Sequence, residues 1–270
     1  YLNFARHPYS KKGDHGRVLV VGGSLEYSGA PVYVAKAALR GGVDLAVIVA
    51  PEPAAYAAKT HGPEVIAMPL RGERLSRSHV SQIIELAKKF DVVAIGPGLG
   101  TEGETPEAVR EIYMALVGRR PLVIDADAIK ALAGAKAEGT VVFTPHAGEF
   151  KMLTGVDVPL ELEKRAEVVR EQAGRLNAVI LLKGRCDVIS DGRRVKINAT
   201  GTPAMTVGGT GDVLTGLVAA FLTKGRDSLE AAAVAAFING LAGELAAGEF
   251  FHITATDLLE KIPAAVKRFI

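Results

Sequence analysis

The chain has 270 residues, and 32 Lys and Arg against 30 Asp and Glu leave a formal net charge of +2. At about 150 residues per domain this length predicts one or two domains with a full core, and an apolar share of 49% with 23% charged residues excludes global disorder. The balanced charge offers no electrostatic footprint for nucleic acid, and a lone cysteine, Cys186, excludes an internal disulfide and suits a reducing, cytoplasmic compartment.

Residues 1–16 read as a lead-in with little regular structure, ahead of one domain over 17–270, because no change of composition marks a linker. The first residues lack the basic-then-apolar order of a signal peptide, and the absent initiator Met suggests a trimmed chain or the C-terminal part of a longer one. Strand-length runs rich in Val and Ile follow at Arg17–Val21, 44–50, 64–69, 91–95, 122–125, 140–143 and 178–183. Their nearly continuous apolar character predicts strands covered on both faces. Helical patterns lie between them. Ala30–Arg40 gathers Val34, Ala37 and Ala38, and 78–90 gathers Val80, Ile83, Ile84 and Ala87 behind an N-cap at Ser76 or Ser78. This alternation predicts an α/β domain with a mostly parallel sheet and helices on both faces.

Beyond residue 183 the pattern changes. Asp187–Ser190, an Asp191-Gly192 turn and 194–198 predict a β-hairpin, followed by a Gly-rich loop and a nearly all-helical end over 212–270. The longest uncharged apolar run, 231–243, contains Asn239 and is shorter than the ~20 residues that cross a bilayer, so no membrane segment is expected. The Ala-rich stretches 231–236 and 241–247 suggest packing against a partner subunit.

The 30 glycines are clustered, which marks places where backbone turns sharply or approaches a ligand. Gly208-Gly209-Thr210-Gly211-Asp212 opens an apolar helix, so its amides form an anion site beside the Asp212 carboxylate. Asp212 then either takes a proton from a hydroxyl attacking a bound phosphate or simply caps the helix. The loop is neither a P-loop nor a dinucleotide fingerprint. Gly96-Pro97-Gly98-Leu99-Gly100, Asp125-Ala126-Asp127 and Thr144-Pro145-His146-Ala147-Gly148-Glu149 each follow a strand directly, where open α/β sheets bind ligands. Asp125 and Asp127 suit Mg²⁺ or substrate hydroxyls, with helix capping as the alternative for Asp127; His146 suits ligand contact. Lys183-Gly184 suits nucleotide phosphates or a plain hairpin turn. The loop Gly22-Gly23-Ser24 to Ser28-Gly29-Ala30 lies at the same predicted edge.

With these residues assembled, the chain from about Lys11 onward resembles the ADP/ATP-dependent NAD(P)H-hydrate dehydratase family of the ribokinase-like superfamily. The resemblance runs through Lys12-Gly13, Gly16-Arg17-Val18, 22–24, 28–30, 37–42, 96–100, 125–128, 144–149, Lys183-Gly184 and 198–216. It implies a three-layer sandwich and dehydration of the S epimer of hydrated NADH or NADPH. ADP, or less readily ATP, would be the phosphate donor with Mg²⁺, leaving AMP (or ADP) and phosphate. By the same resemblance Asp212 is the base, and Gly209, Thr210 and Gly211 form the anion hole. Ala30, Gly98, Gly100, His146 and Asp212 face the hydrate, while Lys183, Gly184, Arg185, Cys186, Asp187 and Gly211 hold the nucleotide. It also implies a fused N-terminal epimerase domain, while the Ala-rich stretches lead to the expectation of a homo-oligomer. Two positions depart from the family: Asp187 stands where a small hydroxyl residue is frequent, and Asn239-Gly240 replaces His-Gly. A kinase of the same fold acting on a hydroxymethyl vitamin precursor is the competing reading. A nucleotide-binding regulatory module is a second, and a dehydrogenase is disfavoured because Gly22-Gly23-Ser24 lacks the required spacing.

Overall fold

In a computed structural model that describes residues 6–269, the Val- and Ile-rich runs pair into one nine-stranded sheet. Residues 1–5 of the lead-in lie outside the described residues. The strands are β1 (Arg17–Val21), β2 (Leu45–Pro51), β3 (Ile66–Leu70), β4 (Val92–Ile95), β5 (Leu122–Ile124), β6 (Val141–Phe143), β7 (Val179–Leu182), β8 (Asp187–Ser190) and β9 (Val195–Asn198). Their order is β3-β2-β1-β4-β5-β6-β7-β8-β9. Pairing is parallel through β7, and the expected hairpin adds β8 and β9 antiparallel.

Several strands stop short of the sequence reading. Asp125 and Lys183 fall just past β5 and β7, because a polar side chain at a strand's C-terminal end turns out of the apolar ladder. Period-two alternation divides the strand residues between two cores. Val18 and Val20 join one, with the helices α1 (Ala30–Arg40), α2 (Glu52–Ala58), α8 (Thr210–Leu222), α9 (Ser228–Ala247) and α10 (Ala255–Lys267). Leu19 and Val21 join the other, with α3 (Val80–Ala87), α4 (Thr105–Leu116), α5 (Ala126–Ala131), α6 (Ala147–Thr154) and α7 (Leu162–Leu176). The helix expected over 78–90 shrinks to α3 because a 3₁₀ turn, Arg77–His79, precedes it; Ser76 caps that turn with a capping box to His79.

The lead-in over 6–16 forms no helix or strand, yet it is fastened. Asp44 Oδ2 accepts from Gly13 N at 2.8 Å and His15 N at 3.0 Å, while Oδ1 accepts from Arg6 Nη1 at 2.7 Å. Much of the Ala-rich stretches of α9 faces inward: Ala231, Ala232, Ala235, Ala236 and Ala242 are buried in the core of this chain. At 20 residues α9 is long and apolar enough to cross a membrane by composition, and 67% of its apolar window is buried inside the protein.

Two features place the site. The strand order reverses between β1 and β4, which opens a crevice beyond their C-terminal ends. Helix α8 lies close against α1 because residue 216 is glycine, where a Cβ would sit 2.2 Å from Val34 O.

Candidate active site

The loops singled out by sequence converge at one sheet edge. Residues after β1, β4, β5, β6 and β7 leave the sheet on the same side, since Val21 pairs with Ile95, Ile95 with Ile124 and Ile124 with Phe143. Ala126 adopts a left-handed φ of 50°, a strained setting for a residue with a Cβ, between Asp125 and Asp127. Their carboxylates serve different partners. Asp127 accepts from Gly100 N at 2.9 Å and from Lys130 Nζ at 2.7 Å, so it fastens the Gly96–Gly100 loop instead of capping α5. Asp125 is buried and accepts from Lys183 Nζ at 2.9 Å and from Thr215 Oγ1 at 2.8 Å.

Lys183 and Asp212 both lie within electrostatic reach of Asp125. Burial alone would pull the Lys183 ammonium down, but the charges of Asp125, Glu149 and Asp212 outweigh it and hold it above the ordinary lysine value. Glu149 Oε2 lies 3.7 Å from Lys183 Nζ. Asp212, on the first turn of α8, accepts no hydrogen bond from the described residues. Burial, reinforced by the Asp125 charge and opposed by Lys183, pushes its carboxyl up to about 8. A poised base is the chemical reading of such a group, because a carboxyl of raised pKa accepts a proton from an alcohol more readily than an ordinary one.

The start of α8 is open. Its N-cap is Gly209 at φ 93°, a left-handed setting that favours glycine, and no side chain caps the helix. The amides of Thr210, Gly211 and Asp212 therefore have no intrahelical acceptor, and two of the three residues expected to form an anion hole, Thr210 and Gly211, are among them, while Gly209 is the N-cap. Beside it lies a cavity of about 410 Å³ lined by Ala30, Gly98, Gly100 and Asp212, four of the five residues expected to face substrate, together with Glu26, Tyr27, Arg74, Thr101, Glu102, Asp127 and Lys130.

His146 is the fifth, and it is placed differently. It is the N-cap of α6: its Nδ1 accepts from Gly148 N at 3.0 Å and Glu149 N at 3.3 Å, and Glu149 Oε2 accepts from His146 N at 2.9 Å. Its ring does not line the cavity. The expected nucleotide residues divide as well. Lys183 belongs with the buried charges under α8, and a Cβ on Gly211 would lie 3.4 Å from its Nζ. Gly184, Arg185 and Cys186 form the turn into β8, whose first residue is Asp187, and Gly184 N closes it by donating to Asp187 Oδ1 at 3.0 Å; Cys186 is a half-buried free thiol. Asn198 Nδ2 donates to Asp187 Oδ2 at 3.0 Å, and burial nonetheless raises the Asp187 carboxyl.

Sequence reasoning gave no role to Thr215 or Arg74. Thr215 stands three residues after Asp212, one turn along the same helix face, a spacing that does carry a signal. Arg74 lies in a loop with no motif and carries none.

A family model described as NAD(P)H-hydrate dehydratase matches residues 18–264. The chain is 70% identical over 270 residues to a bifunctional NAD(P)H-hydrate repair enzyme of Pyrobaculum aerophilum, covering all of this chain and 54% of that protein. It thus spans about half the length of that relative. It is 43% identical over 270 residues to an ADP-dependent (S)-NAD(P)H-hydrate dehydratase of Cenarchaeum symbiosum, covering 98% and 93%. Among solved structures it superposes on the ADP/ATP-dependent NAD(P)H-hydrate dehydratase of Bacillus subtilis co-crystallised with ATP and Mg²⁺, with TM-score 0.85, 32% identity and coverage of 98% and 94%.

Proposed function

The chain belongs to the NAD(P)H-hydrate dehydratase family, and on that basis we propose that it dehydrates the S epimer of hydrated NADH and NADPH with ADP as phosphate donor. One observation carries the reading: a half-buried carboxyl, Asp212, without a hydrogen-bond partner among the described residues, faces a cavity at the open N-terminus of a helix. Asp212 takes the proton of the ring hydroxyl as its oxygen attacks the terminal phosphorus of ADP. The amides of Thr210 to Asp212 hold the transferring oxygens, and AMP leaves. The phosphorylated hydrate then loses phosphate and a ring proton, which restores the double bond. Lys183, fixed by Asp125 and Glu149, supplies the positive charge against which the phosphates are set. The family assignment favours this over a hydroxymethyl kinase, which would stop at the phosphoester.

Among the described residues no cluster of His, Cys, Asp or Glu makes an all-protein metal cage. Asp125 and Asp127 already accept from protein donors on both oxygens. The residues therefore fit Mg²⁺ as an ion carried on nucleotide phosphates rather than one held by protein carboxylates. When bound it neutralises phosphate charge. The relatives' names support ADP as donor and a fused repair partner in the longer ones.

The test is recovery of dihydronicotinamide absorbance from hydrated NADH with ADP, with ATP, or with neither. Recovery that requires ADP is expected. Absence of recovery with either nucleotide, while nucleotide binding persists, overturns the reading.

A further inference from the structure

The cavity beside Asp212 has a charged wall that the reaction centre does not use. Arg74 reaches it from the loop after β3, Glu26 from the loop after β1 and Glu102 from the loop after β4. Arg74 Nη2 is ion-paired with Glu26 Oε1 and lies 3.0 Å from Glu102 Oε2, so one guanidinium bridges three loops. Two cations line the cavity, and their situations differ. Lys130 is held 2.7 Å from Asp127, on its own helix, and that carboxylate also fastens Gly100 N. Arg74 is held by two water-facing glutamates, and the Glu102 side chain is 72% exposed. Exposed pairs of this kind contribute little to stability, so the guanidinium exchanges partners at small cost.

The substrate class supplies an exchange partner. A hydrated nicotinamide dinucleotide with its reacting ring at Asp212 carries a pyrophosphate one ribose away, and a planar guanidinium binds phosphate oxygens in pairs. We propose that Arg74 recognises the pyrophosphate of the dinucleotide, with Glu26 and Glu102 presenting it in the free enzyme and competing with the anion for it. This rests on the dehydratase reading above. The two glutamates are then specificity elements: they favour ligands whose anionic charge is strong enough to displace them.

Two substitutions separate recognition from bracing, because Arg74→Met and Glu102→Gln break the same ion pair. A brace predicts that both weaken substrate binding in the same direction. Recognition predicts opposite signs. The measurement is steady-state kinetics of the whole chain on hydrated NADH and on hydrated dihydronicotinamide riboside, which has no phosphate. Arg74→Met should raise KM for the dinucleotide by about 10- to 100-fold, as loss of a charged hydrogen bond does, with kcat nearly unchanged and the riboside unaffected. Glu102→Gln should lower KM for the dinucleotide only. Equal effects on both substrates, or the same sign for both variants, overturn the proposal. Calorimetric titration with NADH itself, which bears the same pyrophosphate, keeps the two readings distinct. If the parent binds NADH, turns over no hydrate, and Arg74→Met still weakens NADH binding, the dehydratase reading fails and the role of Arg74 stands. If Arg74→Met leaves NADH binding unchanged, the role of Arg74 fails.

Discussion

Two helices begin at the same edge of the sheet and treat their first amides in opposite ways. At α6, His146 accepts from the amides of Gly148 and Glu149 and Glu149 accepts from the amide of His146, so the helix start is closed by its own side chains. At α8 the N-cap is a glycine with no side chain to offer, and the only carboxyl on the first turn, Asp212, makes no hydrogen bond with the described residues. A capped terminus is stable alone, whereas an uncapped one beside an unpartnered carboxyl is completed by something else. A binding terminus is thus told from a structural one by whether its donors already have acceptors.

The heaviest loss should come on the α8 side. Asp212→Asn removes the base while leaving the amides in place, so kcat should fall by about 10²- to 10⁴-fold with ADP affinity nearly unchanged, measured by absorbance recovery and calorimetry. A variant that keeps its rate would move the chemistry elsewhere. Next in size is Lys183→Met. It leaves Asp125 and Glu149 facing each other in the interior without their cation, and breaking a buried pair on one side costs about 3–5 kcal/mol. Chemical denaturation should show that loss, and ADP binding should weaken with it.

A pH series probes the open helix start from another direction. The Asp212 carboxyl is raised from 3.8 to about 8, first by burial and then by the charge of Asp125. A carboxyl whose pKa is higher in the folded chain stabilises it fully at low pH, and that contribution is lost as pH rises from about 4 to about 8. Asp212→Asn should therefore be more stable than the parent at pH 9, with the advantage vanishing near pH 4. The rate runs the other way: the base acts when ionised, so kcat/KM should climb with pH and level off above about 8. Equal stability of variant and parent across this range would remove the raised-carboxyl account.

The sheet was legible because strands covered on both faces leave long Val and Ile runs, and all nine strands fall on or beside predicted segments. The open terminus of α8 was legible too, since glycines clustered at the start of an apolar helix leave its first amides without a side-chain cap. What stayed hidden depends on distance across the fold. Lys183 and Thr215 lie 58 and 90 residues of chain from Asp125, their common contact, and no spacing rule links them. Arg74 is a lone residue in a loop, defined only by the two other loops that it meets. His146 shows the converse. Its place at a strand end predicted ligand contact, but a histidine followed three residues later by glutamate also satisfies a helix N-terminus, and that local pairing decides its placement.

The mildest change should come at the closed helix. His146→Ala removes the acceptor for two amides of α6, which should lower stability by about 1 kcal/mol, the usual size of an N-cap loss. Because the ring lies off the cavity wall, kcat and KM should each stay within about threefold, less than the tenfold that 1.4 kcal/mol would bring. Asparagine at 146 keeps a side-chain acceptor in capping position and should restore most of the stability. A hundredfold loss of kcat in both variants, with stability intact in the asparagine one, would instead place the imidazole on the reacting groups. The two helix starts would then be two halves of one catalytic surface, not a closed terminus beside an open one.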